Sequence, residues 1–201
     1  MFDGVSTALT LEILATTANL IYIIFLIKEK IICWSFGIAG SLLSIVLFID
    51  ARLYSEAFLY FFYAVMGIWG WVRWHNREEI HDNPVIRWRM SSHLLAMFLT
   101  CAAAMMLGYT MLYFSNAERP LFDALTTLFS FLATYMEITK VLEAWVYWLI
   151  INLASVWLYH DRELDIYAWL IGCYSILSVV GFIKWRHSYR LQQLRQPGGH
   201  S

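Results

Sequence analysis

The chain alternates long apolar runs with short polar breaks, and it does so seven times. Runs of about 20 apolar residues are long enough to cross a bilayer as helices. They fall near 8–27, 31–50, 54–73, 92–114, 120–139, 142–159 and 165–184. The breaks are brief and charged: Lys28-Glu29-Lys30, Asp50-Ala51-Arg52, Glu118-Arg119-Pro120, and Asp161 to Asp165. One longer loop, 74–91, holds Pro84, and the segment after Lys184 is polar and reads as disordered. The pattern predicts an all-α membrane protein with seven transmembrane helices.

The two ends of the chain match at a constant offset of 111, without a gap. Leu14 pairs with Leu125, Thr16 with Thr127, Trp34 with Trp145, Ser44 with Ser155, and Asp50 with Asp161. Tyr63 pairs with Tyr174, Gly70 with Gly181, and Trp74 with Trp185. Self-similarity at a fixed spacing marks a repeated structural unit. Each unit holds three spans, so the chain leaves it on the far side of the membrane. One extra helix must carry it back before the second unit can start in the same orientation, and the run 92–114 fills that part. The expectation is two parallel three-helix repeats joined by one linking helix, a 3+1+3 plan. Residues 8–76 form the first repeat, 77–118 a cytoplasmic loop and the linking helix, 119–187 the second repeat, and 188–201 a cytoplasmic tail. Transporters commonly use such repeats, because a site between two halves can be exposed alternately to either side.

Composition agrees with a membrane protein. The chain is 60% apolar and 14% charged, with a mean hydropathy of +0.58, where soluble domains carry about 45–50% and 25%. Its net charge of −1 gives no field to steer nucleic acid. If the N-terminus lies outside, eleven of the 14 Lys and Arg fall on inside segments, leaving Arg52, Arg119 and Arg162 outside. The positive-inside rule therefore places the N-terminus outside and the C-terminus in the cytoplasm. Cys33, Cys101 and Cys173 are scattered through apolar runs and read as small hydrophobes. No phosphate-binding loop, zinc-protease motif or nucleophile elbow is present, and the histidines lack metal-ligand spacing. The expectation is a protein that is not an enzyme and needs no cofactor or metal.

The candidate chemistry lies on helix faces. On a helix, Trp145, Trp148, Asn152, Ser155 and Tyr159 share an arc of about 80°. Polar groups inside a membrane span are costly and usually serve a function. Two indoles suit a flat, cationic heteroaromatic ligand through cation–π contact, and Asn152 can add a directional hydrogen bond. The preceding span puts Asp123, Thr127, Ser130, Thr134 and Glu137 on one stripe, which reads as facing a cavity or as interhelical glue. The third span of each repeat carries Tyr60, Tyr63, Gly67, Gly70 and Trp74, or Ile171, Tyr174, Ser178, Gly181 and Trp185. The small residues there allow close helix packing. Trp74 and Trp185 read as interface anchors. Glu143 lies about 160° from Trp145 and reads as a helix-start acid rather than a ligand contact. The substrate-binding candidates are Trp145, Trp148, Asn152, Tyr159, Tyr63, Tyr60, Tyr174, Thr134 and Glu137.

These motifs resemble the PnuC family of vitamin transporters over residues 8–187. The resemblance is carried by Glu143, Trp145, Trp148, Asn152 and Tyr159, by Tyr63 with Trp69-Gly70-Trp71 and Trp74, and by Trp34 with Gly37. It implies uptake of nicotinamide riboside across the bacterial inner membrane by facilitated diffusion, with trapping by a cytoplasmic kinase. It also implies a homotrimer in lipid and a site at the tryptophan motif. Riboside carriers are expected to have an amide where this chain has Tyr60, and another near Leu170 and Ile171. That departure keeps thiamine open as the cargo. A seven-helix receptor or sensor without transport is the alternative of a different class.

Overall fold

The computed structural model describes residues 2–50, 54–79, 83–114, 119–161 and 165–195. Seven helices hold nearly all of them: α1 (Phe2–Ile27), α2 (Ile32–Asp50), α3 (Tyr54–Glu79), α4 (Met90–Phe114), α5 (Pro120–Ile138), α6 (Ala144–Asp161) and α7 (Asp165–Arg195). Pro120 opens α5, where its fixed φ suits the first turn and its missing N–H costs nothing.

Two helices stop in the same way. At the end of α1, Lys30 N donates to Phe25 O at 3.0 Å and Glu29 N donates to Leu26 O at 3.0 Å, with Glu29 at φ 55°. At the end of α5, Val141 N donates to Met136 O at 2.8 Å and Lys140 N to Glu137 O at 3.0 Å, with Lys140 at φ 54°. Both are Schellman caps, which satisfy carbonyls that the helix end would otherwise leave unpaired. Left-handed φ in a residue with a Cβ costs roughly 1–2 kcal/mol, and both turns bear that cost without a glycine. The next helices begin alike: Cys33 N donates to Lys30 O at 2.9 Å and Ala144 N to Val141 O at 3.1 Å. Each of these pairs lies 111 residues apart.

The chain divides into two compact units, residues 1–83 and 84–201. In the first, α2 packs between α1 and α3; in the second, α4 through α7 pack in chain order, each on the next. Four tryptophans are fully buried: Trp34 and Trp74 in the first unit, Trp145 and Trp185 in the second. Trp74 and Trp185 are thus not interface anchors as their place near helix ends suggested. Trp74 meets Trp34 edge-on, with centroids 5.4 Å apart at 88°, and Trp185 meets Trp145 at 5.4 Å and 89°. Such contacts add about 0.5–1.5 kcal/mol beyond area burial.

Outside this core, apolar side chains are turned outward. Among the described residues, four helical stretches are long and apolar enough to cross a bilayer: Leu9–Ile27, Ile32–Asp50, Met90–Tyr113 and Pro120–Ile138; Ala144–Trp157 is a shorter apolar one. Helix α3 has more Trp, Tyr and Gly, yet Phe58, Phe61, Val65, Ile68 and Val72 form an exposed apolar stripe along it. Surface of that kind suits lipid. The protein is an all-α, seven-helix membrane protein.

One expectation is corrected. The segment after Lys184 is not disordered throughout, because α7 runs on to Arg195. Residues 185–195 contain Arg, Leu and Gln, good helix formers, and the first Pro or Gly comes only at Pro197.

Candidate functional site

The start of α6 is held by a loop from far upstream. Residues 83–89 run alongside the turn before α6, where Ile86 N donates to Lys140 O and Leu142 N to Ile86 O, each at 2.9 Å. Glu143, the residue before α6, accepts from Arg87 Nε at 2.7 Å and from Trp88 N at 3.4 Å. That hydrogen bond, and then the charge of Glu143, hold the Arg87 guanidinium above its usual range. His93 Nδ1 lies 3.1 Å from Tyr147 Oη, and the two rings stack at 5.8 Å. The expectation that Glu143 belongs to the helix start agrees with its position. Its ties to Arg87, 56 residues away, had no sequence signal.

The predicted ligand face of α6 packs largely on α7. Trp145 is 1% exposed, and its ring covers Gly181 so closely that a Cβ there would lie 2.5 Å from it. Asn152 is buried, and its Nδ2 donates to Ser178 Oγ at 3.3 Å; Ser178 Oγ donates on to Tyr174 O at 2.9 Å. These contacts run down the small-residue stripe of α7, one helix turn after another. Trp148 is different. It is half-buried, and its Nε1 is inaccessible to water with no acceptor among the described residues. Trp145 Nε1 and Trp34 Nε1 share that state. A buried donor without a partner costs about 1–3 kcal/mol.

On α5, Thr134 and Glu137 are buried together with Ser130. Thr134 Oγ1 donates to Ser130 O at 2.8 Å and Ser130 Oγ to Thr126 O at 2.7 Å. The hydroxyl protons are used within the helix, while their lone pairs can still accept a donor. In the first unit, Tyr60 stacks on Phe48 at 5.3 Å and meets Tyr63 edge-on at 5.9 Å. Tyr60, Tyr63 and Tyr174 are all half-buried. The side chain of Tyr159 lies outside the described residues. The structure thus joins Asn152 to the Tyr174 turn through Ser178, and joins Tyr60 to Tyr63. Tyr60 and Tyr63 belong to residues 1–83, and the other candidates to 84–201.

Seven helices whose apolar side chains face outward, several of them long enough to cross a bilayer, define a multi-pass membrane protein. The profile of the nicotinamide mononucleotide transporter family matches residues 9–187. The chain belongs to that family, and it is a multi-pass transporter of the bacterial inner membrane. It is 26% identical over 172 residues to the nicotinamide riboside transporter PnuC of Escherichia coli K12, covering 73% of this chain and 72% of that protein. The PnuC of Shigella flexneri matches to the same extent. A crystal structure of the vitamin B3 transporter PnuC superposes with a TM-score of 0.71 at 18% identity, over 90% of this chain and 82% of that one.

Proposed function

We propose that this protein carries nicotinamide riboside across the inner membrane by facilitated diffusion, with phosphorylation in the cytoplasm trapping the cargo. The observation that carries this reading is the similarity to riboside transporters across nearly three quarters of the chain. The chemistry of the candidate residues supports the riboside over a phosphorylated nucleotide. Trp145, Trp148, Asn152, Tyr159, Tyr60, Tyr63, Tyr174, Thr134 and Glu137 include no Lys or Arg, and a buried phosphate needs cationic or N–H partners. Trp148 is the residue we assign to stacking on the nicotinamide ring. Asn152 and the Tyr hydroxyls are assigned to the amide and ribose.

We also read the chain as seven spans in a 3+1+3 plan, N-terminus outside. The matching Schellman caps, tryptophan pairs and glycine seats at an offset of 111 support the repeat. Movement of one three-helix repeat against the other is the transport step that such a plan allows. A homotrimer fits the bare apolar surface of α4, where Leu94, Phe98 and Met106 stand exposed. Thiamine is the second reading. The Phe48–Tyr60–Tyr63 aromatic cluster favours it, standing where an amide is expected in riboside carriers.

Tryptophan-quenching titration of the purified protein with nicotinamide riboside, thiamine and riboflavin tests the assignment. Saturable quenching by the riboside alone is expected. Proteoliposome uptake that is saturable without a proton or sodium gradient is the matching flux result. Quenching by thiamine alone would transfer the assignment to the second reading.

A further inference from the structure

A cleft of about 380 Å³ opens in the second unit, and none of the candidate vitamin residues lines it. Its lining is Arg87, Leu142, Phe182, Arg186, Tyr189 and Arg190. Two elements distant in sequence build it. Phe182, Arg186, Tyr189 and Arg190 share an arc of about 100° on α7. Arg87 and Leu142 come from the loop and the turn that are paired through Ile86.

A run of basic residues at a helix end is usually a solvated flank that follows the positive-inside rule. Three features set this one apart. First, Arg87 is held in place: its Nε is bonded to Glu143, which leaves the donors of its terminal nitrogens to point elsewhere. Second, the lining holds three arginines and no acid. Glu143 answers Arg87, and Arg186 and Arg190 add two further positive charges. Third, Leu142 and Phe182 give the cleft apolar walls.

We propose that this cleft binds a phosphate group, with Arg186 and Arg190 as the main donors and Arg87 as the fixed third. A phosphate carries about 1.5 to 2 negative charges and three acceptor oxygens, and guanidinium forks match that geometry in bidentate fashion. The group belongs either to an anionic phospholipid headgroup or to a small soluble phosphate ester. The proposal does not depend on which vitamin is carried, since the vitamin candidates and the cleft share no residue.

The full chain is tested in two arms. In phosphatidylcholine nanodiscs, calorimetric titration with pyrophosphate reads soluble phosphate. In detergent, native mass spectrometry reads retention of phosphatidylglycerol against phosphatidylcholine. The wild type is expected to bind in at least one arm, and the arm identifies the source. The Arg186→Gln/Arg190→Gln variant is expected to lose about tenfold or more in that arm, and Arg186→Lys/Arg190→Lys to fall between, since charge remains and the fork does not. Should the double glutamine variant unfold, Arg190→Gln alone, an exposed position, carries the comparison. Absence of binding in both arms, or equal binding by wild type and glutamine variants, overturns the proposal. Thermal unfolding of the same variants in detergent serves as the folding control.

Discussion

Trp145 of α6 meets Trp185 of α7 edge to face, 5.4 Å between centroids, directly over Gly181. The first unit repeats the arrangement with Trp34, Trp74 and Gly70, where a Cβ would lie 2.7 Å from the indole. The glycine is what lets the indole lie flat against the neighbouring helix. The neighbouring tryptophans Trp145 and Trp148 therefore differ: Trp145 joins two helices, and Trp148, which we propose as the ligand contact, is only half-buried.

Gly181→Ala and Gly70→Ala should each destabilise the protein by about 1–3 kcal/mol, the usual cost of overpacking a well-fitted core. Gly172 is the internal control, since nothing lies within 4 Å of the Cβ position there. Gly172→Ala should be neutral or stabilise by up to about 1 kcal/mol, because Ala favours the helix. Thermal unfolding in detergent reads all three. A Gly181→Ala protein as stable as wild type would mean that Trp145 is not seated as described.

Asn152 and Ser178 share a buried hydrogen bond between α6 and α7. Such bonds in membrane proteins average about 0.6 kcal/mol and reach about 1.7. A double-mutant cycle of Asn152→Ala and Ser178→Ala should return a coupling in that range. If Asn152 also contacts the cargo, Asn152→Ala will weaken binding and Ser178→Ala will do so much less. Equal loss of affinity in both would make the amide a purely structural group.

The helices were legible because they rest on local periodicity, and the proposed repeat rests on matched residue types: Trp34 with Trp145, Gly70 with Gly181. The family was legible for the same reason, in the spacing of Trp145, Trp148, Asn152 and Tyr159. What a helical wheel could not tell was which neighbour covers a face. Trp145, Trp148 and Asn152 share an arc, yet α7 covers Trp145 and Asn152 and leaves Trp148 half-buried. The turn geometry was hidden too, since Glu29 and Lys140 adopt left-handed φ with no glycine to announce it. Arg87 and Glu143 are 56 residues apart and share no pattern, so only the fold brings them together.

Trp145→Ala and Trp148→Ala should separate stability from binding. Removing Trp145 empties a fully buried site and should cost about 3–5 kcal/mol. Removing Trp148 should cost less, because that ring is only half-buried, and should weaken cargo binding about tenfold or more, in line with cation–π contacts of up to about 2 kcal/mol. Unfolding curves and vitamin titrations on the same preparations measure both. Unchanged affinity in Trp148→Ala would remove that ring from the site.

Glu143 ties the loop 83–89 to the start of α6, and Glu143→Ala should release it. The bond to Arg87 is partly exposed, with 59% of the arginine side chain open to solvent, so its loss alone should cost less than about 1 kcal/mol. The larger effect should be local. Glu143→Ala also removes the acceptor of Trp88 N, and the neighbouring Ile86 and Leu142 amides rely on the same loop staying in place. Hydrogen exchange at Ile86, Trp88 and Leu142 should speed up severalfold in the variant, with the amides of α7 unchanged, because a local opening leaves the rest of the fold intact. Exchange that speeds up evenly across the second unit would mean instead that Glu143 supports that unit as a whole.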